Sequence, residues 1–563
     1  MPQSHHPYPD HLFGDLDKPQ KGAARHVRDV LGVRHHAVRS PWLPADGQAV
    51  TLRASTSADI CARSVVVSFT TDDWATSTDL PFTPTQTTWD TTAWTWLRHW
   101  VCELPPMPSG TMLRYYVWAA LPGGKRAYAE TQSSTSADAT PYALWLDPHP
   151  NPPAWAADAV TYQVFVDRFN PGAGRDWLQT ANLCQPFGGT LRGVTEKLDH
   201  IKALGCNTVW LTPIFKSPTH HGYDASDYAQ IEPRFGTEAD LRELIAGAHA
   251  RGMRLLLDFV ANHTSDQHWA MQSALASPES PERAWYKWEK WPRYTAYYDV
   301  RSMPELNLAL GSPARVHLLE IAQKWLTLGV DGYRLDYAPG PGQEFWADFR
   351  RACRAVNPDC WTFGEVVGPA DEQLSFAGTM DGTLDFLTCQ ALRETFATRG
   401  WPLSRFAAYL ENNPLYFPRG FSRPAFIDNH DMNRFLFTAL GSLEAEHAAL
   451  TMLYLLPGQP IIYYGTESDL PQAQSIHDPG SPGFDEARGP MNWASATGHP
   501  TAGLLRQLAD FRAANPWLGQ ATWQTETLDE AGGEALFRVS GDGHALRVRV
   551  RFEAGQPRVG MDA

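Results

Sequence analysis

Three acids close three apolar runs: Asp336 ends GYRLD at 332–336, Glu365 sits in FGEV at 363–366, and Asp431 ends FIDNHD at 426–431. An acid at the end of such a run can project into a cleft while the residues before it are anchored in a core. Breaking a glycosidic bond needs a proton donor for a poor leaving group and stabilisation of positive charge at the anomeric carbon. Two carboxyl groups can divide that labour if their surroundings differ. Asp336 suits the nucleophile, because Arg334 precedes it by two residues on the same strand and points to the same side. Glu365 suits the acid/base role, with a pKa raised by neighbouring carboxylates and exclusion of solvent. Asp431 would hold sugar hydroxyls and favour distortion toward an oxocarbenium-like state. His430 beside it and His263 in DFVANH at 258–263 can donate hydrogen bonds to the same ring. A single barrel-end Asp or His is more often structural than catalytic, but several buried ionisable groups at matching strand ends cost stability unless a polar ligand or each other compensates them.

These acids need a scaffold. After the Pro-rich joint at 148–155 the chain alternates strand-like and helix-like patterns. The spacing predicts eight strands, at 159–169, 208–215, 254–260, 332–336, 361–366, 380–386, 425–431 and 459–467. Helical patterns at 193–205, 239–252 and 314–329 lie between them. Strand and helix repeated eight times predict a closed parallel (β/α)8 TIM barrel over 155–515. The 263–313 stretch is too long for an ordinary barrel loop and predicts a short inserted domain after strand 3. Its Trp285, Tyr286, Trp288, Trp291, Tyr294, Tyr297 and Tyr298 either build one wall of a sugar cleft or pack a small core.

Ahead of the barrel, short alternating runs from 25 to 147 predict an N-terminal β-sandwich, preceded by a tail at 1–24. Trp74, Trp89, Trp94, Trp96 and Trp100 there either stack on sugar rings or serve the core and an interface. Runs at 534–539 and 544–552 predict a small C-terminal β domain over 516–563. The chain is thus expected to be a multidomain α/β protein, as its 563 residues allow.

A net charge of -15 argues against a phosphate-tracking surface, so no nucleic-acid partner is expected. Nor is a membrane, since no segment approaches the unbroken apolar length that spans a bilayer. Seven dispersed cysteines without a CxxC pattern favour reduced thiols over a disulfide or zinc framework. The first twenty residues have no basic and apolar leader pattern. A cytoplasmic enzyme is expected. The pairs His5–His6 and His220–His221 lack a zinc pattern around them.

In their order along the chain, the DFVANH, GYRLD, Glu365–Val366 and FIDNHD segments resemble the blocks of the alpha-amylase superfamily of glycoside hydrolases. The likeness implies Asp336 as nucleophile, Glu365 as general acid/base and Asp431 as transition-state stabiliser, with Arg334, His263 and His430 supporting them. The stretch 217–228 is similar to the block after strand two, which implies that Tyr223 stacks on the sugar at subsite minus one and that Asp224 gives that subsite polar support. MPELN at 303–307 is similar to a block of the neopullulanase, cyclomaltodextrinase and maltogenic amylase group, while FIDNHDMNRF leans toward enzymes between that group and the oligo-1,6-glucosidases. Tyr337, Val366 and Glu305 depart from the group's usual pattern, and altered plus-side subsites are expected. The resemblance implies retaining hydrolysis of alpha-glucosidic bonds in maltooligosaccharides, cyclodextrins or related alpha-glucans. A 4-alpha-glucanotransferase and a non-catalytic alpha-glucan-binding protein are the alternatives. No cofactor is needed for the chemistry. Asn262 resembles a ligand for a structural calcium. The tryptophan-rich leading region is expected to influence substrate access or self-association as a homodimer.

Overall fold

The structure, a computed structural model, describes Pro7, Leu12 and residues 19–562 apart from Gln132, Asp138 and Thr497. The His5–His6 pair and most of the 1–24 tail lie outside the described residues.

The centre is an eight-stranded parallel barrel. In chain order its strands are Thr161–Val164, Thr208–Leu211, Arg254–Val260, Gly332–Asp336, Trp361–Gly364, Gly382–Thr383, Pro424–Ala425 and Gln459–Tyr463. The first pairs with both the second and the eighth. The ring closes between the sixth and seventh, where Gly382 bridges Ser422 and Asp385 N–H donates to the Pro424 carbonyl at 2.8 Å. Trp210, Leu256, Trp361, Phe363, Phe426 and Ile461 form one buried cluster of side chains from the strands and their ends. Such filling makes the barrel a packed core rather than a pore. Gly332 is required here, because a Cβ at that position would lie 2.1 Å from the Trp361 carbonyl oxygen.

The surrounding helices follow their local signals. Glu238–Ala250 begins with a capping box between Thr237 and Asp240 and buries Leu241, Leu244, Ile245 and Ala248. Pro313–Leu328 has Ser312 as N-cap, Pro at its first turn and a left-handed Gly329 at its end.

Several strands are shorter than the sequence pattern suggests. The first stops at Val164 and gives way to a short helix, Val166–Phe169, and Phe215 belongs to a separate hairpin with Asp227–Ile231. The seventh ends at Ala425, so 426–431 is irregular backbone beyond the ladder. Phe426 and Ile427 stay buried beyond the last paired residue, which is why the apolar pattern runs past the ladder.

The 263–313 excursion holds a helix at Trp269–Ala276 and a two-stranded ribbon of Trp288–Lys290 with Arg293–Tyr294. Trp285 and Tyr286 are buried in packing, and Tyr297 turns to the barrel mouth. In front of the barrel, two five-stranded antiparallel sheets enclose a core of Leu52, Val65, Val67, Leu104, Tyr115 and Val117. A helix at Pro19–Val30, not foreseen from the sequence, precedes them. The sandwich is tied to the barrel by Arg114, whose guanidinium lies 2.7 Å from Asp348 and 3.0 Å from Glu344. Behind the barrel stand the four antiparallel strands Thr522–Asp529, Glu534–Gly541, His544–Glu553 and Gln556–Asp562.

Candidate active site

The C-terminal ends of the strands open into a cavity of about 500 Å3 whose wall includes Asp336, Glu365, Asp431, Tyr223, His263 and Arg488. A second cavity, about 450 Å3, lies at the opposite end of the barrel, around Pro153, Arg423, Gly458 and Gln459. It contains no carboxylate and lies away from the chemistry.

Arg334, fully buried, organises the acids. Its Nη1 donates to Asp336 Oδ1 at 2.7 Å and to Asp258 Oδ1 at 2.8 Å, while Nη2 stands 2.8 Å from Glu365 Oε2. The Tyr337 backbone N–H donates to the same Glu365 oxygen at 3.0 Å. Asp258, inside DFVANH, thus completes a set of three carboxylates around one guanidinium. Its role as an anchor escaped the sequence reading, which took His263 and Asn262 from that block.

Asp431 is held separately. Arg488 Nη2 donates to its Oδ1 at 2.8 Å, and His430 Nε2 lies 3.0 Å from its Oδ2. Gln163 Nε2 lies 2.7 Å from His430 Nδ1, while His430 Nε2 faces Asp431 and the Tyr223 hydroxyl. That hydroxyl in turn donates to Asp258 Oδ2 at 2.9 Å, and the Tyr223 and His430 rings lie 5.3 Å apart and nearly parallel.

Two expected residues have their polar atoms bonded within the protein. Asp224 is buried and its Oδ1 accepts from Ser217 Oγ at 2.7 Å and from Thr219, so its carboxylate braces the loop behind Tyr223 instead of lining the cavity. His263 lines the cavity, but its Nε2 bonds the Tyr223 carbonyl at 3.0 Å and its Nδ1 lies 3.3 Å from Asn262 Nδ2. Both of its nitrogens are engaged within the protein. Residues missed from the sequence include Arg488, Gln163, His221 and Phe484. Gln163 lies on the first strand, His221 in the 217–228 block without a spacing that marks its role, and Phe484 and Arg488 together on the stretch that follows the eighth strand.

The electrostatics separate the acids into two kinds. Burial pushes the carboxyls of Asp336 and Glu365 above their ordinary range; Arg334 opposes this at both, and Asp431 raises each. The attraction of Arg334 for the ionised Asp336 is therefore only half of the balance. Two interacting acids this close titrate as a unit. Burial also acts to raise Asp431, but His430, Arg488 and Arg334 outweigh it and hold that carboxyl well below the usual range. Burial lowers His221 to about 3 and His263 to about 4, so both rings are neutral at physiological pH.

A calcium at Asn262 finds little to bind. Its Oδ1 is packed against Gly340, where a Cβ would approach it to 2.1 Å, and its backbone carbonyl accepts from Leu306 N–H. A hard divalent cation takes six to eight oxygens, carboxylates prominent among them. Among the described residues no group of three or more His, Cys, Asp or Glu side chains is arranged to hold a metal. The Asp167 carboxylate accepts from Arg168 Nε and from the backbone N–H groups of Phe187 and Gly188.

A barrel whose mouth gathers these carboxylates around one buried arginine is the scaffold of a glycoside hydrolase. The chain belongs to the alpha-amylase family: the model of the alpha amylase catalytic domain matches residues 163–521. It is 33% identical over 373 residues to Alpha-amylase 2 of Dictyoglomus thermophilum, the match spanning 66% of either chain. It is 31% identical over 420 residues to a Bacillus cyclomaltodextrinase, covering 68% of this chain and 72% of that one. A solved cyclomaltodextrinase structure is similar at a TM-score of 0.67 and 26% identity, over 93% of this chain and 91% of the other. No described helix is long and apolar enough to cross a membrane.

Proposed function

We propose that this protein hydrolyses alpha-glucosidic bonds in maltooligosaccharides, cyclodextrins or related alpha-glucans, with retention of anomeric configuration. The observation that carries this reading is the Arg334 guanidinium shared by Asp336 and Glu365. Two carboxyls on adjacent nitrogens of one guanidinium favour the spacing of about 5–5.5 Å used for direct nucleophilic attack over the wider gap of about 6.5–9.5 Å that admits a water.

In this mechanism Asp336 Oδ attacks the anomeric carbon as Glu365 gives its proton to the departing glycosidic oxygen. Glu365, now a carboxylate, takes a proton from water, whose oxygen attacks the anomeric carbon and breaks its ester bond to Asp336. Asp431 stays ionised and accepts from sugar hydroxyls as positive charge develops on the ring. Tyr223, fixed by His430 and Asp258, offers its face to the sugar at the reaction centre. No step requires a metal, and Asn262 serves in packing.

A cytoplasmic setting fits cysteines that are dispersed along the chain without a CxxC pattern. Self-association through the leading region fits its exposed Trp89, Trp94 and Trp96. The test is a time-resolved product profile on maltotriose, maltoheptaose, cyclodextrins, pullulan and starch, with Glu365→Gln as control. Products shorter than the input are expected to dominate. Predominantly longer products would make transfer the function, and no turnover at all would leave a binding protein.

A further inference from the structure

One side chain in the wall of the cleft does not come from the barrel. Leu12, in the leading stretch of the chain, lines the cavity together with Val367, Phe386 and Met432. It is half-buried and packs against the apolar cluster to which Phe386 and Met432 belong. Those three barrel residues follow the fifth, sixth and seventh strands, so Leu12 covers the sector of the mouth that begins two residues beyond Glu365.

The element after Leu12 is fastened to the same part of the barrel. The helix Pro19–Val30 begins seven residues further on, and its Arg25 lies 2.8 Å from Glu372, on the short helix Ala370–Ser375 that follows the fifth strand. The Glu372 carboxylate packs on the turn at Gly368, where a Cβ would come within 2.4 Å of its Oε2. Arg25 thus ties the leading region to the stretch that carries Val367, while itself standing outside the cavity wall.

Leucine offers no hydrogen bond. A sugar that passes over this sector gives up the water on hydroxyls for which Leu12, Val367 and Met432 hold no partner, and a buried hydroxyl left unpaired is costly. We propose that Leu12 is a specificity-determining residue, which closes this sector to glucan chains long enough to run through it and so favours short substrates over polymers. The inference rests on the reading of the site given above. Arg25 is a positioning residue in this account, acting through Leu12.

The experiment uses the full chain and compares kcat/KM on amylose with kcat/KM on maltotriose. Leu12→Gly is expected to raise the amylose-to-maltotriose ratio roughly 3- to 30-fold, the discrimination that a contact of this size provides, and Leu12→Trp is expected to lower it. Arg25→Ala is expected to raise the ratio in the unaltered chain and to add nothing in the Leu12→Gly background, as befits two residues that act through one contact. A purely structural role would lower activity on both substrates together and leave the ratio where it was. An unchanged ratio in Leu12→Gly therefore overturns the inference, and so does an Arg25→Ala effect of equal size in both backgrounds. An unaltered protein that hydrolyses neither substrate would sink the reading of the site itself, a result distinct from an active protein whose ratio does not move.

Discussion

Arg488 Nη2 donates to Asp431 Oδ1 across 2.8 Å, joining the loop after the eighth strand to the loop after the seventh. The same guanidinium donates from Nε to the His430 carbonyl at 2.8 Å and lies 3.3 Å from Asp485 through Nη1. Asp431 stands beyond the end of its strand, where no ladder holds it, so Arg488 supplies the rigidity that the sheet does not.

Replacing Arg488 with Gln is therefore expected to lower kcat by about tenfold to a hundredfold, in line with a charge-assisted hydrogen bond of about 1.5–3 kcal/mol. The fold should survive. Steady-state kinetics on maltotriose beside a circular dichroism spectrum check this. Unchanged kcat with a native spectrum would remove Arg488 from the site.

The pH profile follows from the sign of each shift. Asp336 and Glu365 are raised, so as a pair they keep one shared proton to a pH above the ordinary carboxylate range, whereas Asp431 stays ionised throughout. Activity should fall on the acid side as the pair takes a second proton and on the alkaline side as it loses the first. Asp431 is one of the charges that raise Glu365. Asp431→Asn should therefore move the alkaline limb of the residual activity to lower pH, and a limb at the same pH or higher would contradict this.

Much of the molecule was legible because its signals are local. Asp336, Glu365 and Arg334 lie on or directly after paired strands, where alternation fixes which side faces the mouth. His430 and Asp431 were found from their motif even though their strand was read too long. Asp224 shows the limit. It follows Tyr223 in the chain, but the loop is bent and its carboxylate turns back to Ser217 and Thr219. Arg488 shows another, since a residue brought to the site by a long loop after the last strand leaves no periodicity to read. The barrel's order of elements was visible, while the ends of its strands depend on backbone pairing between distant segments.

Glu446 offers a stability test away from the cleft. It is buried, its Oε2 has no hydrogen-bond partner, and burial, followed by the charges of Asp428 and Asp469, pushes its carboxyl well above the normal range. A carboxyl raised in the folded state costs nothing below its unfolded pKa of about 4.3, and destabilises increasingly as pH rises from there toward the folded value. Glu446→Gln should thus raise the melting temperature at pH 7, by the equivalent of about 1–3 kcal/mol. The gain should shrink toward pH 4. Thermal melts of both proteins across that range decide it, and an equal difference at every pH would point to packing instead.

The central assignment, Asp336 as nucleophile, is open to direct capture. In Glu365→Gln the amide cannot accept the proton of an incoming water, so the second step stalls while fluoride still leaves in the first. Peptide mass mapping of that variant after brief exposure to alpha-maltosyl fluoride is expected to find one maltosyl group, esterified to Asp336. A sugar attached to another carboxylate, or fluoride released with no adduct on any peptide, would contradict the assignment.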